Sequence, residues 1–438
     1  MNNKVIRNAG WIIGCKLAKA VLTLLVTVLT ARYLGVSNYG LINYAAGIVA
    51  FVAPIMKLGL DSTIVFELVN KPEKEGETLG TVVSLSFVSS LVCISGVLAF
   101  TSIANHGETE TIVVCGLYST LLIFQALEMI QYWFQAKLMA KYSSIAMLIA
   151  YVVVTIVQTL LIIHKASVYW FALSHSIDYL IISLILFIVY FRKRGQKLTF
   201  SSRTAKTLLM VSHFYIVSSL MVTIFNNTDR IMLKLMVGNE ATGIYSAAHT
   251  CASMTSFVFV AIIDSMRPTI FECKNKDKEL FKKSLIGLYS VIIYFSLLQC
   301  IGLSVFSSLI IKVIYGSKYL DSASVLCFSV WFTTFSYLGI VRNIWILSEN
   351  LQKYLWKINM AGALMNVLLN WIMIPLWGAT GAAIASVISQ FFTNVVVGYI
   401  IPPIRPNNAL MVEALNPVYL ITYSKKVLGM IKTRFFNK

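Results

Sequence analysis

The chain has 438 residues, 58% of them hydrophobic and only 12% charged. A soluble globular protein carries about 25% charged residues, so this composition excludes a soluble fold and predicts an all-α integral membrane protein. The formal net charge of +18 does not call for nucleic acid, because most Lys and Arg residues sit in short segments between apolar runs, where membrane topology accounts for them.

Lys4 and Arg7 precede the first apolar run, as in a secretory signal. That run contains Lys16 and Lys19 and has no A-x-A cleavage site, so it reads as a retained first helix. Crossing a bilayer takes roughly 20 apolar residues. Runs that qualify lie at 11–31, 41–60, 79–104, 112–135, 143–163 and 168–191, and again at 208–237, 242–266, 285–311, 322–347, 356–377 and 379–401. The prediction is twelve transmembrane helices in two six-helix lobes. Between the lobes the stretch RKRGQKLTFSSRTAK carries Arg192, Lys193, Arg194, Lys197, Arg203 and Lys206 and no acid. Polybasic loops stay cytoplasmic, which places both termini in the cytoplasm. The expected parts are an N-terminal lobe (1–191), a basic cytoplasmic linker (192–206), a C-terminal lobe (207–404) and a cytoplasmic tail (405–438). In the tail, Leu420, Val427, Leu428, Ile431 and Phe435 recur near helical spacing and suggest an interfacial amphipathic helix.

The stretch GVSNYGLINYA (35–45) aligns without a gap to GNEATGIYSAA (238–248), each following the first helix of its half and opening the second. Repetition at corresponding positions supports two related lobes, an architecture common in transporters, with the binding site between repeats near the midplane. The seven cysteines lie singly, with no CxxC and no ligand-like His spacing, so neither a disulfide scaffold nor a metal site is expected. No Walker A motif is present, so no ATP site or other cofactor is expected.

Charged groups in hydrocarbon are costly and usually face a cavity. Lys16 and Lys19 share one face of the first helix; they either line a cavity or snorkel to cytoplasmic headgroups. Arg32 lies near the external interface, where anchoring competes with a substrate role. Arg230 lies deeper, next to Asp229, and either meets substrate or belongs to a structural ion pair. Arg342, beside Asn343, falls a turn and a half inside its helix end and suggests a lumen role. Glu128 shares a stripe with Gln125, Tyr132 and Gln135. His175 and Asp178, three apart, either carry a proton or make a satisfied internal contact. Asn359, Asn366 and Asn370, with Gln390 and Asn394, either join helices or hydrogen-bond sugar hydroxyls.

Several stretches resemble the Wzx-type polysaccharide flippases, part of the MOP superfamily that also holds MATE-type drug exporters: ARYLGVSNYGLINYA (31–45), QYWFQAKLMAKYSSIAMLIA (131–150), NNTDRIMLKLMVGNEATGIYSAA (226–248), YGSKYLDSASVL (315–326) and GATGAAIASVISQ (378–390). The resemblance implies a MATE-like fold. It also implies translocation of undecaprenyl-pyrophosphate-linked oligosaccharide, for O-antigen (lipopolysaccharide) or a related glycan, across a bacterial inner membrane, with or without ion coupling. Membrane lipids, a polysaccharide polymerase and a chain-length regulator are the partners it implies. On this reading Lys16, Lys19, Arg32, Arg230 and Arg342 bind the pyrophosphate, and Glu128, His175, Asp178 and Asp229 are candidates for ion coupling. A MATE-like multidrug or ion antiporter is the alternative; the basic excess within the spans disfavours it for cationic drugs. A membrane glycan polymerase needs catalytic residues on a sizeable external loop, and the external loops here are short, so no enzyme is expected.

Overall fold

Backbone in lipid must satisfy its hydrogen bonds internally, and among the described residues all regular structure is helical. The computed structural model describes the backbone of residues 3–420, and the side chains from Leu22 onward except Ser62, Phe214, Ser218 and Asn275. The expected tail helix lies beyond these apart from its first residues.

The chain divides into two compact units, Met1–Gly243 and Ile244–Lys438. The first contains α1 (Asn3–Met56), α2 (Ile64–Asn70), α3 (Glu75–Ala104), α4 (Thr109–Ser119), α5 (Leu121–Glu128), α6 (Gln131–Ala136), α7 (Ala140–Ile163), α8 (Val168–Arg192) and α9 (Ser202–Met236). Helix α10 (Asn239–Ser253) carries the chain across the division. The second unit continues with α11 (Ser256–Lys276), α12 (Lys278–Val305), α13 (Ser307–Ile314), α14 (Ser322–Ser348), α15 (Leu355–Phe391), α16 (Val397–Ile400) and α17 (Arg405–Glu413), with a π turn at Phe392–Val396. Helix α9 packs on α1 and belongs to the first unit, although in sequence it opens the second half.

Among the described residues eight helices are long and apolar enough to cross a membrane, or ten if two bent pairs each count as one span. The bent pairs are the two parts of α9, at 49° to each other, and α10 with α11, at 41°. This is a multi-pass helical membrane protein. Helix α1 runs through the first two predicted spans and turns at Gly35, where φ is 75°; α15 runs through the last two and turns at Gly378. Aliphatic and aromatic side chains such as Leu91, Leu184, Leu364 and Trp371 are exposed on the helix flanks, as a lipid-facing surface requires. Each unit has its own interior: Leu60, Leu79, Met129, Phe134 and Leu186 in the first, Leu285, Ile292, Val341 and Trp345 in the second.

The basic linker is not a loose tether. It lies as a strap along the start of α3, where two glycines let main chain approach main chain. A Cβ on Gly76 would stand 2.5 Å from the Lys197 carbonyl oxygen, and one on Gly80 2.5 Å from that of Thr199. The Gly76 amide donates to Gln196 Oε1 (3.0 Å), the Tyr190 hydroxyl to the Gln196 carbonyl (2.6 Å) and the Ser201 amide to Thr81 Oγ1 (3.1 Å). The Thr204 hydroxyl donates to Glu77 Oε1 (2.5 Å) and fastens the first turn of α9. Gly80→Val forces this main chain apart and is expected to cost about 2–3 kcal/mol, the upper range for overpacking. Faster tryptic cleavage between Arg194 and Lys206 in the variant is the readout; wild-type cleavage rates would refute a docked strap.

At its other end α9 is held by an ion pair. Lys234 Nζ lies 2.7 Å from Glu108 Oε2, with the lysine side chain only 8% exposed, and the Thr111 hydroxyl donates to the same oxygen. Those two hydrogen bonds, that of Lys234 first, hold the Glu108 carboxyl below its usual range. The depressed folded pKa makes this contribution complete above the unfolded value of about 4.3 and lost as pH falls through the folded one. Wild type is therefore expected to lose more thermal stability than Glu108→Gln between about pH 5 and pH 3. Parallel pH profiles would show that the pair contributes nothing.

Candidate functional site

Pro54 and the glycine at position 59 end α1 and turn the chain, with Gly59 in the left-handed region at φ 66°. The turn sets Lys57 and Asp61 at one rim of a cavity of about 330 Å³ within the first unit. Its walls are Ala46, Ala50 and Ala53 of α1, Tyr118 of α4, Gln125 of α5, Tyr179 of α8, and Ser219 and Thr223 of α9. Small residues on α1 leave the space; tyrosines, an amide and two hydroxyls supply the polarity. Lys57 is half-buried and makes no ion pair among the described residues. Gln125 Oε1 is buried without a hydrogen-bond donor.

A smaller cavity of about 70 Å³ is lined by Thr23, Thr27, Tyr151, Thr155, Gln158, His175 and Asp178. The two adjoin through Tyr118 and His175, whose rings are 4.8 Å apart. The Gln158 amide donates to Ser174 Oγ (2.9 Å), which orients one wall.

The residues expected from sequence fall in several places. His175 and Asp178 meet in the smaller cavity. Glu128 is buried at the end of α5, and the helix predicted to continue through its stripe breaks before α6. Arg230 is half-buried and packs on α1 at Gly47. Asp229 is buried beside it. Arg32 is exposed on α1. Lys16 and Lys19 lie on the α1 backbone, but their side chains are outside the described residues. Arg342 is buried in the second unit, with Nη1 donating to the Thr393 carbonyl. Asn366, Asn370, Gln390 and Asn394 are all buried there too.

Lys57 lies inside the apolar run 41–60 and Asp61 just after it, so hydropathy singles out neither. The available signal was a lysine three residues after a proline near the end of a span.

Residues 5–274 match the polysaccharide biosynthesis protein family. An uncharacterized membrane protein of Methanocaldococcus jannaschii is 25% identical over 278 residues; the match covers 60% of this chain and 53% of that protein, so the chain spans about half of that relative's length. Among solved structures, the lipid II flippase MurJ in an inward closed conformation aligns with a TM-score of 0.73 at 16% identity, covering 95% of this chain and 92% of that one. An inward-facing multidrug resistance MATE family transporter of the MOP superfamily aligns at 0.70 with 14% identity, covering 90% and 95%. These likenesses are of fold. The chain is a helical membrane protein with the MOP fold, and it belongs to the polysaccharide biosynthesis protein family.

Proposed function

We propose that the protein is a flippase that moves undecaprenyl-pyrophosphate-linked oligosaccharide repeat units, of O-antigen or a related surface polysaccharide, across the bacterial inner membrane by alternating access of two six-helix lobes. Counting each bent pair as one span and α1 and α15 as two spans each at their glycine turns gives the twelve helices of this reading. The observation that carries it is the first-unit cavity: Lys57 without an ion pair, set among Tyr118, Tyr179, Gln125, Ser219 and Thr223. A cation meets a pyrophosphate; hydroxyls, an amide and aromatic faces meet sugars. Arg230, packed on α1 at Gly47, adds a second cation to the first unit, and on this reading Lys16, Lys19 and Arg32 are further partners of the pyrophosphate. Asp61, Glu128, His175, Asp178 and Asp229 supply the acids and the imidazole for ion coupling. The product would feed a polymerase and its chain-length regulator.

Deleting the gene in a strain without a second flippase is expected to make lipid-linked repeat units accumulate in the inner leaflet while surface glycan falls to background. Normal surface glycan in that strain would remove the proposal.

A further inference from the structure

Among the described residues the second unit buries a cation with no buried anion to match it. Arg342 on α14 is 3% exposed. Its Nη1 donates to the Thr393 carbonyl in the π turn (2.8 Å) and its Nη2 to Asn343 Oδ1 (3.3 Å), while Nε is buried without an acceptor. No carboxylate lies within ion-pair distance of it among the described residues.

A second orphan donor belongs to the same cluster. Asn407 on α17 is fully buried and accepts the Tyr289 hydroxyl through Oδ1 (2.9 Å), which leaves its Nδ2 a donor with nothing to bond. Tyr289 lies in the same buried core as Val341 and Ile344, which flank Arg342 on α14. Val341, Ile344, Val397 and Ile404 are buried in the same core, and buried Asn408 donates to the Val395 carbonyl of the π turn and keeps an Oδ1 without a donor. A guanidinium in such a place is stable only when its charge is matched and its remaining N–H groups are bonded. Neutral carbonyls and amides do neither fully here. A full positive charge and two unused donors are the complement of one small anion. The π turn fits this: such turns open the regular hydrogen-bond ladder and are frequent at functional sites.

We propose that Arg342, with Asn407, forms a binding site for a single small anion inside the second unit, filled either by an aqueous anion of the chloride class or by the phosphate of an anionic phospholipid. This site is separate from the Lys57 cavity and stands or falls independently of the transport reading.

The test uses the full-length protein, purified in detergent and stripped of lipid, with sodium gluconate replaced stepwise by sodium chloride at constant ionic strength. An anion that binds only the folded state raises Tm with its concentration, here by on the order of 3–6 °C across a hundredfold excess over its Kd. In a second arm, gluconate buffer receives phosphatidylglycerol in mixed micelles, with phosphatidylcholine as control. A rise with chloride assigns the site to an aqueous anion; a rise with phosphatidylglycerol alone assigns it to lipid phosphate. Arg342→Gln is expected to abolish the rise. Asn407→Asp places a carboxylate in the cluster and is expected to remove the anion dependence without lowering Tm, which keeps the test decisive if Arg342→Gln does not fold. A flat Tm in both arms, or either variant keeping the wild-type response, would overturn the proposal.

Discussion

Gly40→Ala and Gly243→Ala are each expected to remove most folded protein from the membrane. A Cβ on Gly40 would stand 1.8 Å from the Asn239 carbonyl oxygen and 2.7 Å from the Gly243 amide nitrogen; one on Gly243 would stand 2.1 Å from the Val36 carbonyl oxygen. All of these neighbours are main chain, so no side chain can swing aside. In the internal repeat, Val36 aligns with Asn239 and Gly40 with Gly243. The two contacts therefore exchange with each other, as across a twofold axis. Gly35 and Gly238, which begin the two copies, both hold φ in the left-handed region, at 75° and 124°, where a Cβ is strained. Moving two helix starts apart is expected to cost about 3 kcal/mol or more, beyond the common range for a single substitution. Gly96→Ala is the control: nothing lies within 4 Å of its added Cβ, and in a helix interior the change is neutral or stabilising by up to about 1 kcal/mol. Fluorescence-detected size exclusion of tagged variants reads the outcome. Wild-type abundance and Tm for both repeat variants would show that the close approach is not required.

The second large effect concerns Lys57. Lys57→Gln is expected to leave the protein folded and in the membrane while lowering surface glycan on the order of tenfold or more, since losing a hydrogen bond to a charged group costs about 1.5–3 kcal/mol and each 1.4 kcal/mol is a factor of ten. Lys57→Arg keeps the charge and is expected to retain part of the activity. The lysine has no ion pair among the described residues, so its loss should not unfold the first unit. A fall in abundance that matches the fall in glycan would assign Lys57 a structural role instead. Wild-type glycan from Lys57→Gln would exclude it from the substrate path.

Membrane spans are legible in this chain because hydropathy depends only on local composition, and the repeat is legible because Gly35, Gly40, Gly238 and Gly243 keep their spacing. That the two copies pack on each other is not legible, since an alignment holds no distances. The strap is hidden for a similar reason: Gly76 and Gly80 meet main-chain atoms of the linker, and such contacts leave no pattern of side-chain types. Lys57 disappears in a hydropathy window, where one lysine is averaged among apolar neighbours. Arg342 shows the limit differently. Its depth along α14 follows from counting, but whether a side chain faces a lumen or the protein interior depends on how the helix is turned. The π turn that supplies the Thr393 carbonyl has no sequence signal at all. His175 and Asp178 are the favourable case, because residues three apart on one helix share a face wherever it points, and both line one cavity.

The most direct measurement is flipping by the purified protein. Proteoliposomes would carry a fluorescent undecaprenyl-pyrophosphate-linked repeat unit from the organism's own surface glycan, and a membrane-impermeant lectin or quencher would follow its exposure in the outer leaflet. Wild-type protein is expected to equilibrate the label between leaflets, Lys57→Gln to do so far more slowly, and empty liposomes to leave it in place. Exposure no faster with wild-type protein than in empty liposomes, with the cognate repeat unit and an imposed proton or sodium gradient, would contradict the account.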